Sequence, residues 1–437
     1  MIYFIGIKGT GMAALACILH DLGYEVSGSD LEKHFFTEIP LIERGIQIIP
    51  FDTEPVPDNA IVIIGNAFDE DFNEVAEARR NSTCQCFRYH EYLGQFMKNY
   101  TSFCVAGSHG KTTTTGMLAS MLNYTEPTGY LIGDGTGVID SESTQLVVEA
   151  CEFRRHFLAY DPEYAIITNI EIDHVDYFKD KDDYRMAYEQ FSEHVKKSLV
   201  VFGDDEEIRR CHFVCPYVTY GVNEGNDYRA VCIEESQVDM QFDVEVKGKK
   251  VYRFRLPFVG SHLLWNSLAV ITVGLLRGIP CAEIEAGLQQ FGGVKRRYVI
   301  ETFGDNIFID DYAHHPTEVS VTLDSTRQRY PNHKLIAIFK PHRASRVHYF
   351  RDEFAVALKK ADEVMLCDFT SIDDHSDGID IDIRYLQDVI EDSVVLSEDD
   401  KGAELLASYA PAVYLFMSSK DIYHLSDKVK YFLSKKE

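Results

Sequence analysis

The chain has 437 residues, 45% hydrophobic and 26% charged, an ordinary globular composition that is too long for one hydrophobic core and predicts about two to four domains. A formal net charge of −27 leaves no general basic field, which excludes nucleic acid and anionic membrane as partners. No apolar run approaches the ~18 residues of a membrane span, the opening Met1-Ile2-Tyr3-Phe4-Ile5-Gly6 lacks a basic leader, and ten cysteines without a framework spacing predict reduced thiols in the cytoplasm.

Residues 2–6 read as a strand, 11–22 as a helix stopped by Gly23, and 25–29 as a second strand closing at Asp30. A later strand over 61–65 precedes a polar helix over about 70–80. This alternation predicts a parallel sheet covered by helices, in a first domain ending near Lys98. The first strand-to-helix turn is Gly6-Ile7-Lys8-Gly9-Thr10-Gly11-Met12. With Asp30 it suits a pyrophosphate at a helix N-terminus and a carboxylate on a ribose hydroxyl. The spacing is GxxGxG rather than GxGxxG, so a glycine turn chosen only for close packing is the competing reading.

The most informative segment is Phe103-Cys104-Val105-Ala106-Gly107-Ser108-His109-Gly110-Lys111-Thr112-Thr113. An apolar strand runs into a glycine loop and then into a helix over 112–123. Such a loop wraps backbone N–H groups around phosphate oxygens, and the helix dipole adds to the attraction. Lys111 is placed to reach β- and γ-phosphates, and the Thr112 hydroxyl to hold an accompanying Mg²⁺. Only three residues separate Gly110 from Ala106, so this is a shortened P-loop.

Buried strands follow over 145–149 and 164–169, then a helical stretch over 184–197 and a strand over 199–202. Residues 217–258 alternate polar and apolar in short runs, predicting antiparallel strands around a turn at Lys247-Gly248-Lys249. Helices are expected over 261–277 and 280–290. After Gly293 come strands over 307–310, 334–339, 363–367, 394–396 and 412–417, separated by helical segments, a second doubly wound unit. Glu149 and His174 both lie beyond strand ends, where ligands of open α/β sheets gather. Glu149 suits Mg²⁺; His174, a soft donor for a hard ion, reads on its own as structural. Cys211 and Cys215 read as buried apolar residues rather than half of a zinc site.

Several of these words together resemble the Mur ligases, ATP-dependent amino-acid ligases of peptidoglycan synthesis. The carriers are the Gly6–Met12 turn, Gly28-Ser29-Asp30, Gly65-Asn66-Ala67-Phe68, the Gly107–Thr112 loop, Thr168-Asn169-Ile170 with Asp173-His174, Gly293-Val294-Lys295-Arg296-Arg297, and Asp310-Asp311-Tyr312-Ala313-His314-His315-Pro316. The resemblance runs through essentially the whole chain. It is nearest to the branch, of the kind found in Gram-positive bacteria, that joins L-alanine to the lactyl carboxylate of UDP-N-acetylmuramate through an acyl phosphate.

The resemblance implies three α/β domains: a Rossmann-like domain for the UDP-sugar (1–98), a central P-loop ATPase domain with a parallel sheet and a small antiparallel part (99–292), and a C-terminal Rossmann-like domain closing over ATP and the amino acid (293–437). It assigns Gly9, Thr10, Gly11, Asp30 and Asn66 to the UDP-sugar. Gly107, Ser108, His109, Gly110, Lys111, Thr112, Thr113, His262, Asn266, Arg297 and Asp310 fall to ATP. Arg296 and Asp311 remain open as alternatives to the last two. Thr112, Glu149 and His174 become Mg²⁺ ligands, and Lys111, Glu149 and His174 the catalytic set. His314, His342, Arg343 and Arg346 fall to the acceptor region.

Three departures stand out. Glu149-Ala150-Cys151-Glu152 replaces Glu-Ala-Asp-Glu, Tyr188 and Glu189 occupy the region where some relatives carry a carbamylated lysine, and Met417-Ser418-Ser419-Lys420-Asp421 lacks the glycines of a Gly-Ala-Gly-Asp turn. A ligase for a recycled tripeptide, a folylpolyglutamate synthase, a non-catalytic ATP-binding regulator and a nicotinamide dehydrogenase are the alternatives. Oligomeric state is not legible.

Overall fold

The structure is a computed structural model, and it describes residues 1–370, 374–375 and 378–435. It is an α/β protein of three domains, each built on its own sheet. The first sheet is fully parallel, in the order Gln47–Pro50, Val26–Asp30, Ile2–Ile5, Ile61–Ile64, Gln85–Arg88. Its chain order reverses between Ile2–Ile5 and Ile61–Ile64, and a crevice opens there beyond the strand ends. The glycine turn follows the first of these strands and Gly65-Asn66 the second. The helix Thr10–Asp21 backs the sheet with an almost continuous buried face from Met12 to Leu19.

The second sheet has ten strands. Its centre is parallel: Thr101–Ala106 lies between Tyr164–Ile167 and Gln145–Glu149. One flank continues through Ser198–Phe202 and Tyr217–Gly221 into the antiparallel ribbon Tyr228–Glu235, Met240–Val246, Lys249–Leu256. The ribbon turns at Lys247 and Gly248, both at positive φ (48° and 76°), the conformation that matches strand twist in a tight hairpin. The helices Lys111–Thr125, Ser261–Leu276 and Cys281–Gln289 pack on this sheet around Met117, Met121, Leu268, Ile271 and Ile284.

The third sheet runs Val299–Phe303, Asn306–Asp311, Val413–Met417, Leu335–Phe339, Glu363–Leu366, Val394–Val395. Its first strand is antiparallel to the second and the rest are parallel. By packing, the chain separates into two compact units. One comprises residues 1–171, 181–235 and 239–292; the other comprises 172–180, 236–238 and 293–437. The short segment bearing His174 thus belongs to the unit of the C-terminal sheet although it follows a strand of the central one.

Several elements depart from the sequence reading, among them the helix expected over 184–197, which runs Lys181–Ser192. The edge strands Gln47–Pro50, Gln85–Arg88 and Val299–Phe303 escaped it because edges are only half covered and carry polar residues. The polar helix is Asn73–Arg80, beginning three residues later than expected. Cys211 and Cys215 are half-buried rather than buried, and no disulfide forms among the ten cysteines. Among the described residues no helix is long and apolar enough to cross a membrane.

Candidate active site

Strand order brings the glycine loop its neighbours. The loop leaves Thr101–Ala106, and the two adjacent strands end beside it, delivering Glu149 on one side and Thr168-Asn169 on the other. Gly107 sits at φ 130° and Gly110 at φ 79°, a region costly for residues with a β-carbon. A β-carbon on Gly107 would overlap the Thr168 hydroxyl, and one on Gly110 would stand 2.9 Å from Asn266 Oδ1. The loop is therefore held tightly from both directions.

Asn169 clamps the His109 peptide: its Oδ1 accepts from the His109 N–H at 2.8 Å and its amide donates to the His109 carbonyl at 3.0 Å. Thr168 Oγ1 donates to that same carbonyl at 2.6 Å. Ser108 Oγ donates to the Glu171 carbonyl (2.6 Å), accepts from the Glu171 N–H (2.8 Å), and lies 2.9 Å from the Tyr184 hydroxyl. His109 Nε2 lies 2.9 Å from Glu171 Oε2. Thr113, in the first turn of the helix, is half-buried.

Lys111 folds over the loop. Its ammonium donates to the carbonyls of Gly107 and Ser108 and to Glu152 Oε2 at 3.0 Å. Burial disfavours the charge, but Glu152 outweighs it and holds the ammonium protonated above its usual range. Thr112 Oγ1 donates to Glu149 Oε1 at 3.2 Å, and Glu149 Oε2 accepts from the Gly133 N–H at 2.7 Å. The expected oxygen ligands thus meet at the loop. Glu152, Thr168, Asn169 and Tyr184 also meet the loop; the first three stood in the sequence only inside motifs, and Tyr184 carried no local signal.

The helix Ser261–Leu276 starts from Gly260, whose N–H is taken by Glu235, and Ser261 is exposed. This start sets Asn266 against Gly110 and leaves His262 half-buried, its imidazole pushed down to about 4 by desolvation against the opposing charge of Glu235.

In the first sheet's crevice, Gly9 caps the helix Thr10–Asp21, and a β-carbon on Gly11 would meet the Tyr89 hydroxyl at 2.5 Å. Asp30 braces the turn, accepting the Lys8 and Leu31 N–H groups at 2.7 Å each. Its carboxyl is raised by burial and lines a cleft of about 340 Å³ with Lys8, Leu31, His34, Glu38 and Ile42. Asn66 is gripped at both ends: Oδ1 lies 2.9 Å from His90 Nδ1 and Nδ2 lies 3.2 Å from His156 Nδ1. The two imidazoles stack with centroids 4.4 Å apart. Burial lowers both, His156 to about 4.

The C-terminal unit holds the remaining candidates. Arg346 makes a buried, forked contact with Asp173, at 2.9 and 3.2 Å from Nη2 and 3.1 Å from Nε. Burial works to raise the Asp173 carboxyl, and the Arg346 guanidinium overrides it, holding it well below the ordinary range. Arg343 pairs with Asp176 and sits at φ 64°. These contacts fasten the segment carrying His174, itself at φ 51°. The His342 carbonyl accepts from Arg346 at 3.3 Å, and His314 lies 3.1 Å from Glu318.

Arg296 donates to the carbonyls of Ser418 (3.2 Å), Ser419 (3.5 Å) and Lys420 (2.8 Å), and its guanidinium lies over Tyr312 and Tyr423 at 5.0 Å each. This grip organises the glycine-free turn. Arg297 lies over the Tyr312 ring at 4.7 Å and 3.6 Å from Glu318. Asp311 accepts two backbone N–H groups, from Tyr298 and Ala313, at 2.8 Å each. Asp310 Oδ1 has no hydrogen-bond partner among the described residues, and burial raises that carboxyl to about 6.

Three family models cover most of the chain: the Mur ligase family catalytic domain over residues 1–101, the Mur ligase middle domain over 105–274, and the Mur ligase glutamate ligase domain over 295–421. Among solved structures, the UDP-N-acetylmuramate-alanine ligase MurC of Thermotoga maritima is similar over 99% of both chains, with 28% identity and a TM-score of 0.81. The murein peptide ligase of Psychrobacter arcticus shares the fold over 99% of this chain and 98% of its own, at 23% identity and a TM-score of 0.73. MurF of Thermotoga maritima, in complex with ADP, shares it over 86% and 96%, at 16% identity and a TM-score of 0.65. With its three sheets, its shortened phosphate loop and all three domain models in order, the chain belongs to the Mur ligase family, the ATP-dependent amide ligases of peptidoglycan synthesis.

Proposed function

We propose that the protein joins L-alanine to the lactyl carboxylate of UDP-N-acetylmuramate at the expense of ATP, in the cytoplasm, with residues 1–98, 99–292 and 293–437 as its three domains. The observation that carries this reading is the convergence of Lys111, Thr112 and Glu149 on one glycine loop. The likeness to the Thermotoga maritima MurC along the full length of both chains favours alanine as the amine.

The loop receives the triphosphate, with Asn266 and His262 toward the base and Arg297 and Asp310 as contacts from the C-terminal domain. Arg296 and Asp311 are committed to the turn at 418–420 and to backbone N–H groups, which favours their neighbours for this role. Thr112 and Glu149 present hard oxygen donors 3.2 Å apart, a set that fits Mg²⁺, with His174 proposed as a further ligand on the resemblance alone. The ion, when bound, supplies positive charge between an anionic phosphate and an anionic carboxylate.

The lactyl carboxylate takes the γ-phosphoryl group and ADP leaves; the neutral alanine amine then attacks the acyl phosphate, and phosphate and a proton leave as the amide forms. Lys111 holds the transferring group, since phosphoryl transfer is chiefly positioning and charge stabilisation. Gly9, Thr10, Gly11, Asp30 and Asn66 hold the nucleotide-sugar, while His314, His342, Arg343 and Arg346 orient the acceptor.

The test is incubation with ATP, Mg²⁺, UDP-N-acetylmuramate and, separately, L-alanine, L-serine, glycine and L-alanyl-γ-D-glutamyl-meso-diaminopimelate, with products weighed by mass spectrometry. A product formed only with the tripeptide would replace this reading by the recycling reaction.

A further inference from the structure

We infer that Glu152 is a positioning residue for phosphoryl transfer, tethering the Lys111 ammonium so that it pivots toward an arriving phosphate without leaving its place beside the glycine loop. This rests on the reading that ATP occupies that loop. An ammonium has three N–H donors, and the protein takes all three here: the Gly107 carbonyl, the Ser108 carbonyl and Glu152 Oε2. A phosphate oxygen must therefore displace one of them.

The three are unequal. The carbonyls are neutral acceptors, and giving up the ammonium leaves no uncompensated charge on either of them. Glu152 is a carboxylate with 1% of its surface exposed, and stripping a buried charge of its counter-ion is far more costly. Lys111 consequently gives up a loop carbonyl and keeps Glu152. The fixed point of the pivot is the carboxylate.

Glu152 is itself held still. Its Oε1 accepts from the Tyr184 hydroxyl at 3.2 Å, the Tyr188 hydroxyl donates to Tyr184 at 3.1 Å, and Tyr184 also reaches Ser108 Oγ at 2.9 Å. Both tyrosines are fully buried, and Tyr188 meets Phe157 edge-on with ring centroids 5.5 Å apart. This phenol pair links the helix Lys181–Ser192 to the loop and to the lysine's anchor. The second glutamate of Glu149-Ala150-Cys151-Glu152 thus has a purpose separate from that of Glu149, which meets Thr112.

A tether and a ground-state binder respond differently to substitution. Removing the charge of Glu152 releases Lys111 to follow any phosphate, so resting nucleotide affinity is held or improved, while placement on the transferring phosphoryl group is lost. In the full-length protein, Glu152→Gln is expected to lower kcat at least about tenfold, with ADP affinity by titration calorimetry unchanged or up to several-fold tighter. Tyr184→Phe, which keeps the ion pair but frees the carboxylate to swing, is expected to show the same split in smaller measure, and it decides the matter should Glu152→Gln not fold. ADP affinity falling in step with kcat, or kcat unchanged, would overturn the tether. Wild-type protein that binds no ADP would instead overturn the nucleotide reading beneath it.

Discussion

Asn266 lies against Gly110, so close that a β-carbon at residue 110 would stand 2.9 Å from its Oδ1. The contact joins the start of one helix to the N-terminal cap of another, across the mouth of the phosphate loop. Gly110→Ala adds a left-handed strain of roughly 1–2 kcal/mol to that clash. The variant is expected to melt several degrees lower and to bind ADP at least about tenfold more weakly. Adding Asn266→Ala should recover part of the melting temperature by removing the clash, and none of the strain. Full recovery would show that φ at Gly110 is not the constraint.

Thr112 and Glu149 share one hydrogen bond and one expected task. Thr112→Val and Glu149→Gln are each expected to raise the Mg²⁺ concentration for half-maximal ligation by about tenfold or more. The double variant should show less than the product of the two, because the groups act on one ion. Magnesium titrations that overlay the wild type would remove both as ligands.

Arg346 and Asp173 form a buried pair in the C-terminal unit, with side chains 5% and 9% exposed. Removing one partner leaves the other charge buried and alone, a loss of about 3–5 kcal/mol. Asp173→Ala and Arg346→Ala should both destabilise in chemical denaturation, whereas exchanging both residues for apolar ones of similar volume should cost much less. Equal losses in single and paired variants would mean the packing, rather than the charge pair, carries the stability.

His156 gives a pH signature. Burial is the first cause of its lowered value of about 4, followed by the neighbouring His90 and Arg154 charges. Its unfolded value is near the ordinary ~6.5, so the unfolded chain binds the extra proton more readily. The neutral ring's contribution is therefore complete above about pH 6.5 and is lost as pH falls toward 4. His90 is lowered too, chiefly by burial with Glu91 working against the shift, so its contribution also declines as pH falls below about 6.5. His156→Phe should flatten the decline in melting temperature between pH 6.5 and 4; an unchanged slope would assign the acid sensitivity elsewhere.

The central strands were readable because they are buried on both faces and their middles appear as unbroken apolar runs, as over residues 103–106 and 146–148. Edge strands such as Gln85–Arg88 were not, since half-covered positions tolerate polar residues and blur the pattern. The Arg296/Arg297 ambiguity could not be resolved locally either. Two adjacent guanidiniums look alike in one dimension, and their contacts differ only where the turn at 418–420 closes on Arg296.

What the linear order determined was the set of local requirements: glycines where the backbone must turn left-handed, apolar runs where strands are buried, and a lysine and threonine immediately after a phosphate loop. These depend on a few adjacent residues, so they can be read from neighbours alone. Tertiary structure decided the pairings: Glu149 with Thr112, Glu152 with Lys111 under two tyrosines, Asn66 between two histidines, and Asp173 with Arg346. Each joins residues between 24 and 173 positions apart. Such meetings follow from the order of strands in a sheet and the packing of helices upon it, neither of which any short stretch of chain encodes.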